Sequence, residues 1–242
     1  MESLEVTNLL APRVDIEQLS ADYQRKRRLV IPGLLRADVA HSLHRALQDW
    51  SDWALVTRIG GKHRDFDAKE MERMDLARRA GFDDLVEVEA RNGFQYLYER
   101  WPLYDPDYEV PLDVSILEAI RRMLQGGDFI QLVRRITGLD RIEFADGQLT
   151  RYRKRHFLTL HDDDAEGKGR LAAYVLGMTP DWKPDYGGQL QFLGMDGAVE
   201  DVFVPGFNTL SVFSVPRPHL VSAVASFVDA SRFSITGWLR HR

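Results

Sequence analysis

Between Leu171 and Leu239 the chain alternates short apolar runs with Gly, Pro and Asp, a pattern that predicts strands and turns rather than helices. The runs are Leu171 to Met178, Gln189 to Leu193, Val199 to Val204, Thr209 to Phe213, Leu220 to Val224 and Ser231 to Leu239. Turns fall at Pro180 to Gly188, Gly194 to Gly197 and Pro205 to Asn208. Ile142 to Tyr152 and Phe157 to Leu160 read as the strands that lead into this series. Many short strands divided this way imply packed sheets or a barrel, and a double-sheet jelly roll fits.

The first half has a different rhythm. Helical spacing puts Ile16, Leu19 and Tyr23 on one face of Val14 to Arg27, whose basic end suits a helix C-terminus. Leu29 to Leu35 reads as a strand broken by a turn. Asp38 is the expected cap of a helix to about Trp50, with Ala40, Leu43, Ala46 and Leu47 inward. Trp53 to Arg58 is the next strand. Ile116 to Leu124 and Phe129 to Ile136 give two more helices, parted by Gly126-Gly127 and stopped by Gly138. These helices are expected to cover the larger sheet from outside. The fold is therefore mainly β with flanking α-helices: support at 1–140 and a barrel core at 141–242, in one compact domain.

Residues 60 to 112 are less regular. Gly60 to Arg64 reads as a flexible basic loop, and Asp67 to Arg79 and Asp83 to Ala90 as two charged helices. The aromatics Phe94, Tyr96, Tyr98, Trp101, Tyr104 and Tyr108 either wall a substrate groove or form a core layer under the barrel. His41 and His44 have no carboxylate at ligand spacing, and with His63 they read as surface or structural.

Composition narrows the class. At 242 residues the chain can bury a sizeable core, and 44% hydrophobic with 29% charged residues argues against disorder. A net charge of -5 gives no general basic patch and argues against a dedicated nucleic-acid binder. There are no cysteines, which excludes disulfides, zinc-thiolate sites and thiol nucleophiles. Met1 to Glu5 is acidic, so no secretory leader is visible, and no apolar run approaches a membrane span; a cytoplasmic protein is the default expectation.

Candidate chemistry lies in the strand-rich half. His161 and Asp163 follow a strand, and side chains at i and i+2 share a face, which sets an imidazole beside a carboxylate. A second imidazole would complete a two-His-one-carboxylate triad that leaves coordination positions open on a ferrous ion. His219, between the strand-like Thr209 to Phe213 and Leu220-Val221, is the candidate. Taken singly, each of these residues also has a plain structural reading.

Their ordered combination resembles the 2-oxoglutarate- and iron(II)-dependent dioxygenases, and within them the prolyl 4-hydroxylase-like branch. The resemblance rests on Arg151-Tyr152, His161-x-Asp163, Gly169-Arg170, Asp181-Trp182, Gly187 to Leu190, Pro205-Gly206, Thr209 to Phe213, His219 and Arg232 to Trp238. It implies a double-stranded β-helix in which His161, Asp163 and His219 hold Fe(II). Arg232 is then the guanidinium that grips the far carboxylate of 2-oxoglutarate. Ser234, Thr236 and Trp238 share its strand face, so that a hydroxyl assists and the indole walls the pocket. Tyr152 resembles a tyrosine that hydrogen-bonds the co-substrate, with a core or rim aromatic as its other reading. Arg170 resembles a substrate-side arginine.

What the resemblance implies for function is hydroxylation of a prolyl residue in a protein or peptide, with O2 as second co-substrate, ascorbate as an accessory reductant, and succinate and CO2 as co-products. A small-molecule or free amino-acid hydroxylase is the alternative, and a non-catalytic binding or sensory module the third. Two departures stand out. The stretch from His219 to Arg232 is long, which suggests an extended turn near Ser226 to Ala230, and Gly177 stands where some relatives carry a second co-substrate tyrosine. The run Arg153-Lys154-Arg155-His156 is either a solvated hairpin tip or a cationic rim near the metal mouth.

Overall fold

Apolar spacing accounts for the two central helices directly. Ile116, Leu117, Ile120, Met123 and Leu124 form the buried stripe of one, and Phe129, Ile130, Val133 and Ile136 that of the other. A computed structural model describes residues 9–13, 15–105 and 112–242, so Tyr108 lies outside the described residues. In chain order the support is α1 (Ile16–Lys26), β1 (Arg28–Pro32), α2 (Ala37–Asp49), β2 (Ala54–Ile59), β3 (Lys62–Asp67), α3 (Ala68–Glu72), α4 (Leu76–Asn92), β4 (Tyr96–Tyr104), α5 (Ser115–Gln125) and α6 (Gly127–Thr137). The strand-rich part is β5 (Phe144–Ala145), β6 (Gly147–Tyr152), β7 (Phe157–His161), β8 (Arg170–Met178), β9 (Leu190–Leu193), β10 (Val199–Phe203), β11 (Phe207–Ser214), β12 (His219–Val221) and β13 (Arg232–Arg240).

All strand pairs among the described residues are antiparallel, in the order β1-β11-β8-β13-β6-β4-β7-β12-β9-β10, with β2 and β3 continuing from β4 and β5 beside β13. This path curls into a nearly closed barrel with helices on its N-terminal side. The outward apolar residues of the larger sheet, such as Leu149, Tyr174, Leu176 and Ile235, share one buried cluster with α1, α2, α5 and α6. A second cluster, including Tyr152, Phe192, Phe213 and Val221, fills the space between the two walls. Residues 222–231 join β12 to β13 as irregular turns, in line with the long spacing read from the sequence.

Local expectations fail in three places, each for a physical reason. Lys62 to Asp67 is a strand, not a flexible loop, because Gly60 and Gly61 at φ +60° and +72° make a two-residue hairpin turn that needs left-handed backbone. The charged helices divide elsewhere: Asp67 caps α3 and Asp75 caps α4 through bonds from the Glu70 and Arg78 amides, and α4 runs unbroken through residues 83–90. Asp38 is not a cap. It sits in the first turn of α2 and pairs with Arg36 at 2.8 Å.

The turn between β6 and β7 encloses His156, which is buried with no partner for Nδ1. Burial, aided by the nearby Arg153 charge, pushes its pKa down to about 3, so the folded protein keeps the ring neutral. The unfolded chain takes up that proton below its ordinary pKa of about 6.5. The contribution is therefore intact above pH ~6.5 and lost as pH falls toward about 3, at up to about 1.4 kcal/mol per pH unit. His156→Leu should flatten the fall in stability measured by urea unfolding between pH 7 and 4; an unchanged slope would show that other groups govern it.

Candidate active site

His161 is the last residue of β7 and His219 the first of β12, and the antiparallel register makes them direct partners. Their ring centroids lie 4.1 Å apart. Asp163 joins them by a different route from the expected strand alternation. The strand has ended, and Asp163 takes φ +65°, so a left-handed turn swings its carboxylate back. Its Oδ1 is 3.4 Å from His161 Nε2 and its Oδ2 3.5 Å from His219 Nε2. One ligand atom from each residue lies within 4.8 Å of the others, an arrangement that could hold a metal ion.

Proton placement suits a cation. His161 Nδ1 is 3.0 Å from the Thr159 carbonyl oxygen and His219 Nδ1 2.7 Å from that of Arg217. A carbonyl only accepts, so each Nδ1 carries the hydrogen and each Nε2 presents a lone pair. Burial, reinforced by His161, brings the His219 pKa down to about 4, which keeps the ring neutral. Burial opposes ionisation of Asp163, but its neighbours His161, His219 and Arg170 hold its carboxyl below the usual range. Two imidazoles presenting Nε2 lone pairs and a carboxylate, converging on one point, fit Fe(II).

The triad opens into a cavity of about 640 Å3 whose opposite wall carries Arg232. Arg232 is only 4% exposed, and burial weighs against its charge. Among the described residues no hydrogen bond or ion pair reaches it. Its guanidinium lies 5.0 Å over the Tyr152 ring, which stacks on Tyr98 at 5.1 Å. A buried charge left unpaired costs several kcal/mol, a large part of a domain's net stability of about 5–15 kcal/mol. Such a group calls for an anion, and a carboxylate of 2-oxoglutarate fits it. Gly188 makes room: a Cβ there would meet Arg232 Cδ at 3.2 Å, and its φ of +62° also favours glycine.

The remaining predicted residues fall in different places. Thr236 lines the cavity beside Gln148, with 3.5 Å between their polar atoms. Ser234 is fully buried, and its hydroxyl bonds Thr150 at 2.7 Å. Trp238 lines the cavity with its buried Nε1 unpartnered, and Arg170 lies 3.5 Å over its ring while donating to the Asp163 carbonyl at 3.0 Å. At Gly177 a Cβ would overlap the Gly206 carbonyl oxygen at 2.5 Å, so the backbone of the turn before β11 fills the space a side chain would need.

Part of the cavity lining comes from outside the strand-rich half. Phe94, Tyr96 and Tyr98 wall the cavity, so for these three the groove reading replaces the core layer; Trp101 instead packs on Trp50 at 4.6 Å. His63 also lines it, with Nδ1 2.5 Å from the Tyr96 hydroxyl and Nε2 2.9 Å from Asp65. Alternation of Phe94, Tyr96 and Tyr98 at i, i+2 was the available clue. The basic turn gives no cationic rim: Arg153 pairs with Glu72 and Glu99, Arg155 with Glu87, and His156 is buried. Exposed Asp162 and Asp164 stand at the mouth instead.

Comparison with known proteins agrees with this geometry. Residues 147–240 match the family described as the 2OG-Fe(II) oxygenase superfamily. Over 131 residues the chain is 34% identical to prolyl 3-hydroxylase OGFOD1 of Xenopus laevis, covering 51% of this chain and 25% of that protein. The Mus musculus prolyl 3-hydroxylase OGFOD1 is 32% identical over 124 residues, 48% of this chain and 22% of that one. The chain thus spans about a quarter of the length of these relatives. In fold it is similar to a Pseudomonas putida prolyl-4-hydroxylase, with a TM-score of 0.60, 20% identity, and coverage of 94% of this chain and 99% of that one. A Trichoplax adhaerens prolyl hydroxylase, solved with a hypoxia inducible factor peptide fragment, gives a TM-score of 0.57 at 14% identity, covering 93% and 88%. The segment that matches the 2OG-Fe(II) oxygenase superfamily thus contains the whole triad of His161, Asp163 and His219, set on a nearly closed barrel.

Proposed function

We propose that this protein is a 2-oxoglutarate- and Fe(II)-dependent oxygenase that hydroxylates an unactivated C–H bond of a prolyl residue in a protein or peptide, with succinate and CO2 as co-products. The observation that carries the reading is a single cavity holding a metal-binding triad at one wall and a buried, unpaired guanidinium at the other. Prolyl specificity rests on the names of the relatives, and the cavity's volume, within the ~300–1,000 Å3 range of ligand sites, leaves space for a substrate group beside the co-substrate.

In this reading His161, Asp163 and His219 hold Fe(II), which with 2-oxoglutarate and O2 supplies the oxidising power for the C–H bond. Arg232 orients the co-substrate through two parallel charge-assisted hydrogen bonds to its far carboxylate. Tyr152 donates its hydroxyl to the same molecule, since burial keeps that phenol protonated. Thr236 offers a further hydroxyl from the same strand, and Ser234 braces that strand through Thr150. Arg170 and Trp238, stacked on each other in the cavity lining, receive the substrate. Phe94, Tyr96 and Tyr98 exclude water from the facing wall. Residues 1–140 and 141–242 act together here, because β4 of the first part supplies that wall.

Incubation with Fe(II), 2-oxoglutarate, ascorbate and cell-extract protein should yield succinate and a one-oxygen mass increase on prolyl residues. Turnover of free proline or another small molecule, with proteins untouched, would move the assignment to the second class. Metal-free protein should gain about 2.7 kcal/mol in stability at Mn(II) a hundredfold above its dissociation constant. Asp163→Ala should abolish that gain; an equal gain in the variant would place the metal elsewhere. Arg232→Ala should raise the 2-oxoglutarate concentration for half-maximal succinate formation roughly 10-fold or more, the loss of a charge-assisted bond of about 1.5–3 kcal/mol. An unaltered requirement would remove Arg232 from the clamp.

A further inference from the structure

Asp163 is a metal ligand without a strand to hold it. β7 stops at His161, and the carboxylate stands at the start of a loop, residues 162–169, in which the Lys168 amide donates to the Ala165 carbonyl at 3.1 Å and the Asp164 amide to Asp162 Oδ1 at 3.0 Å. Asp163 is also in left-handed backbone, which for a residue other than glycine costs of order 1 kcal/mol. A ligand has to stay within about 0.5 Å of its working position, so something outside the loop must fix it.

The ties run to the end of β13. Arg240 Nε donates to the Lys168 carbonyl at 2.7 Å, and the His241 amide donates to the Gly169 carbonyl at 3.0 Å. The other side of the Arg240 guanidinium donates from Nη1 to Asp146 Oδ2 at 3.0 Å. Asp146 Oδ1 accepts the Trp238 amide at 2.7 Å, and Trp238 carries the Arg170 guanidinium on its ring. Arg170 in turn donates to the Asp163 carbonyl, so the chain of contacts returns to the ligand itself. Asp146 is 7% exposed and the Arg240 side chain 12%, which shields this fork from water and salt.

We propose that Asp146 and Arg240 are positioning residues for Asp163, acting as a fork that locks the metal-carboxylate loop onto the last barrel strand. This rests on the triad reading above. The fork needs arginine: a lysine keeps a point charge for Asp146 but has no second donor spaced to reach Lys168 O as well. A merely structural ion pair and a positioning fork therefore separate in one variant.

The experiment titrates metal-free protein with Co(II), following the absorption of the bound ion, alongside thermal unfolding without metal. Arg240→Lys should unfold close to the wild-type midpoint yet bind Co(II) about 10-fold more weakly, with an altered absorption band, as expected when an outer partner of a ligand is lost. Asp146→Asn keeps an acceptor for the Trp238 amide but loses the charge, and should show the same weakening. Should that variant fail to fold, Arg240→Lys alone decides. Wild-type affinity and spectrum in Arg240→Lys would overturn the inference, as would a lowered midpoint with unchanged Co(II) binding. Wild-type protein that takes up no Co(II) would instead overturn the triad, and the fork with it.

Discussion

The pairing of β7 with β12 brings His161 directly across from His219, and the rest of the site is arranged around that one cross-strand contact. Residues directly opposed in an antiparallel pair have Cβ atoms roughly 4.5–5.5 Å apart, close enough for both rings to face one ion. Each ring is then locked by a carbonyl two residues upstream on its own chain. A register shift of one residue would turn an imidazole outward. β12 is held on its other side by β9, whose Phe192 is buried against the Phe213 and His219 rings, so packing and hydrogen bonding both oppose such a shift.

The inner wall shows how a barrel reconciles packing with chemistry. β6, β8 and β13 turn large apolar residues outward onto the helices, and those contacts supply the stability. Inward they carry small or hydrogen-bonding groups such as Thr150, Gln148, Ala173 and Thr236. Arg232 is tolerated there because its stem packs beside Gly188 and its charge rests on the stacked Tyr152 and Tyr98 rings. The outward face stabilises the fold while the inward face is left free for ligands.

How much of this is legible in the sequence depends on whether a residue announces its geometry. α5 and α6 are plain because their apolar residues recur at helical spacing. The barrel strands are plain because Gly and Pro punctuate them. β3 is not, since Lys62 to Asp67 offers almost no apolar alternation and only the Gly-Gly turn marks it. α4 has a single fully buried residue, Val86, so the caps define it and the periodicity does not. The triad members are readable by type, but the left-handed backbone that brings Asp163 round is not, because aspartate tolerates it without requiring it. Asp146, between Ala145 and Gly147, looks like any turn residue until the fold brings Arg240 beside it.

The Gly60-Gly61 hairpin has a consequence for how this lip of the cavity can change over time. Because the turn has no slack, the β2–β3 register fixes which side of the ribbon His63 and Asp65 occupy, toward Tyr96 and Arg100. Exchanging one side chain for another at those positions alters the lip's chemistry while leaving its shape alone. Gaining or losing a single codon inside β3 would present Lys62 and Arg64 to the cavity in their stead. Diversification of this edge is therefore open to point substitution and largely closed to changes in length.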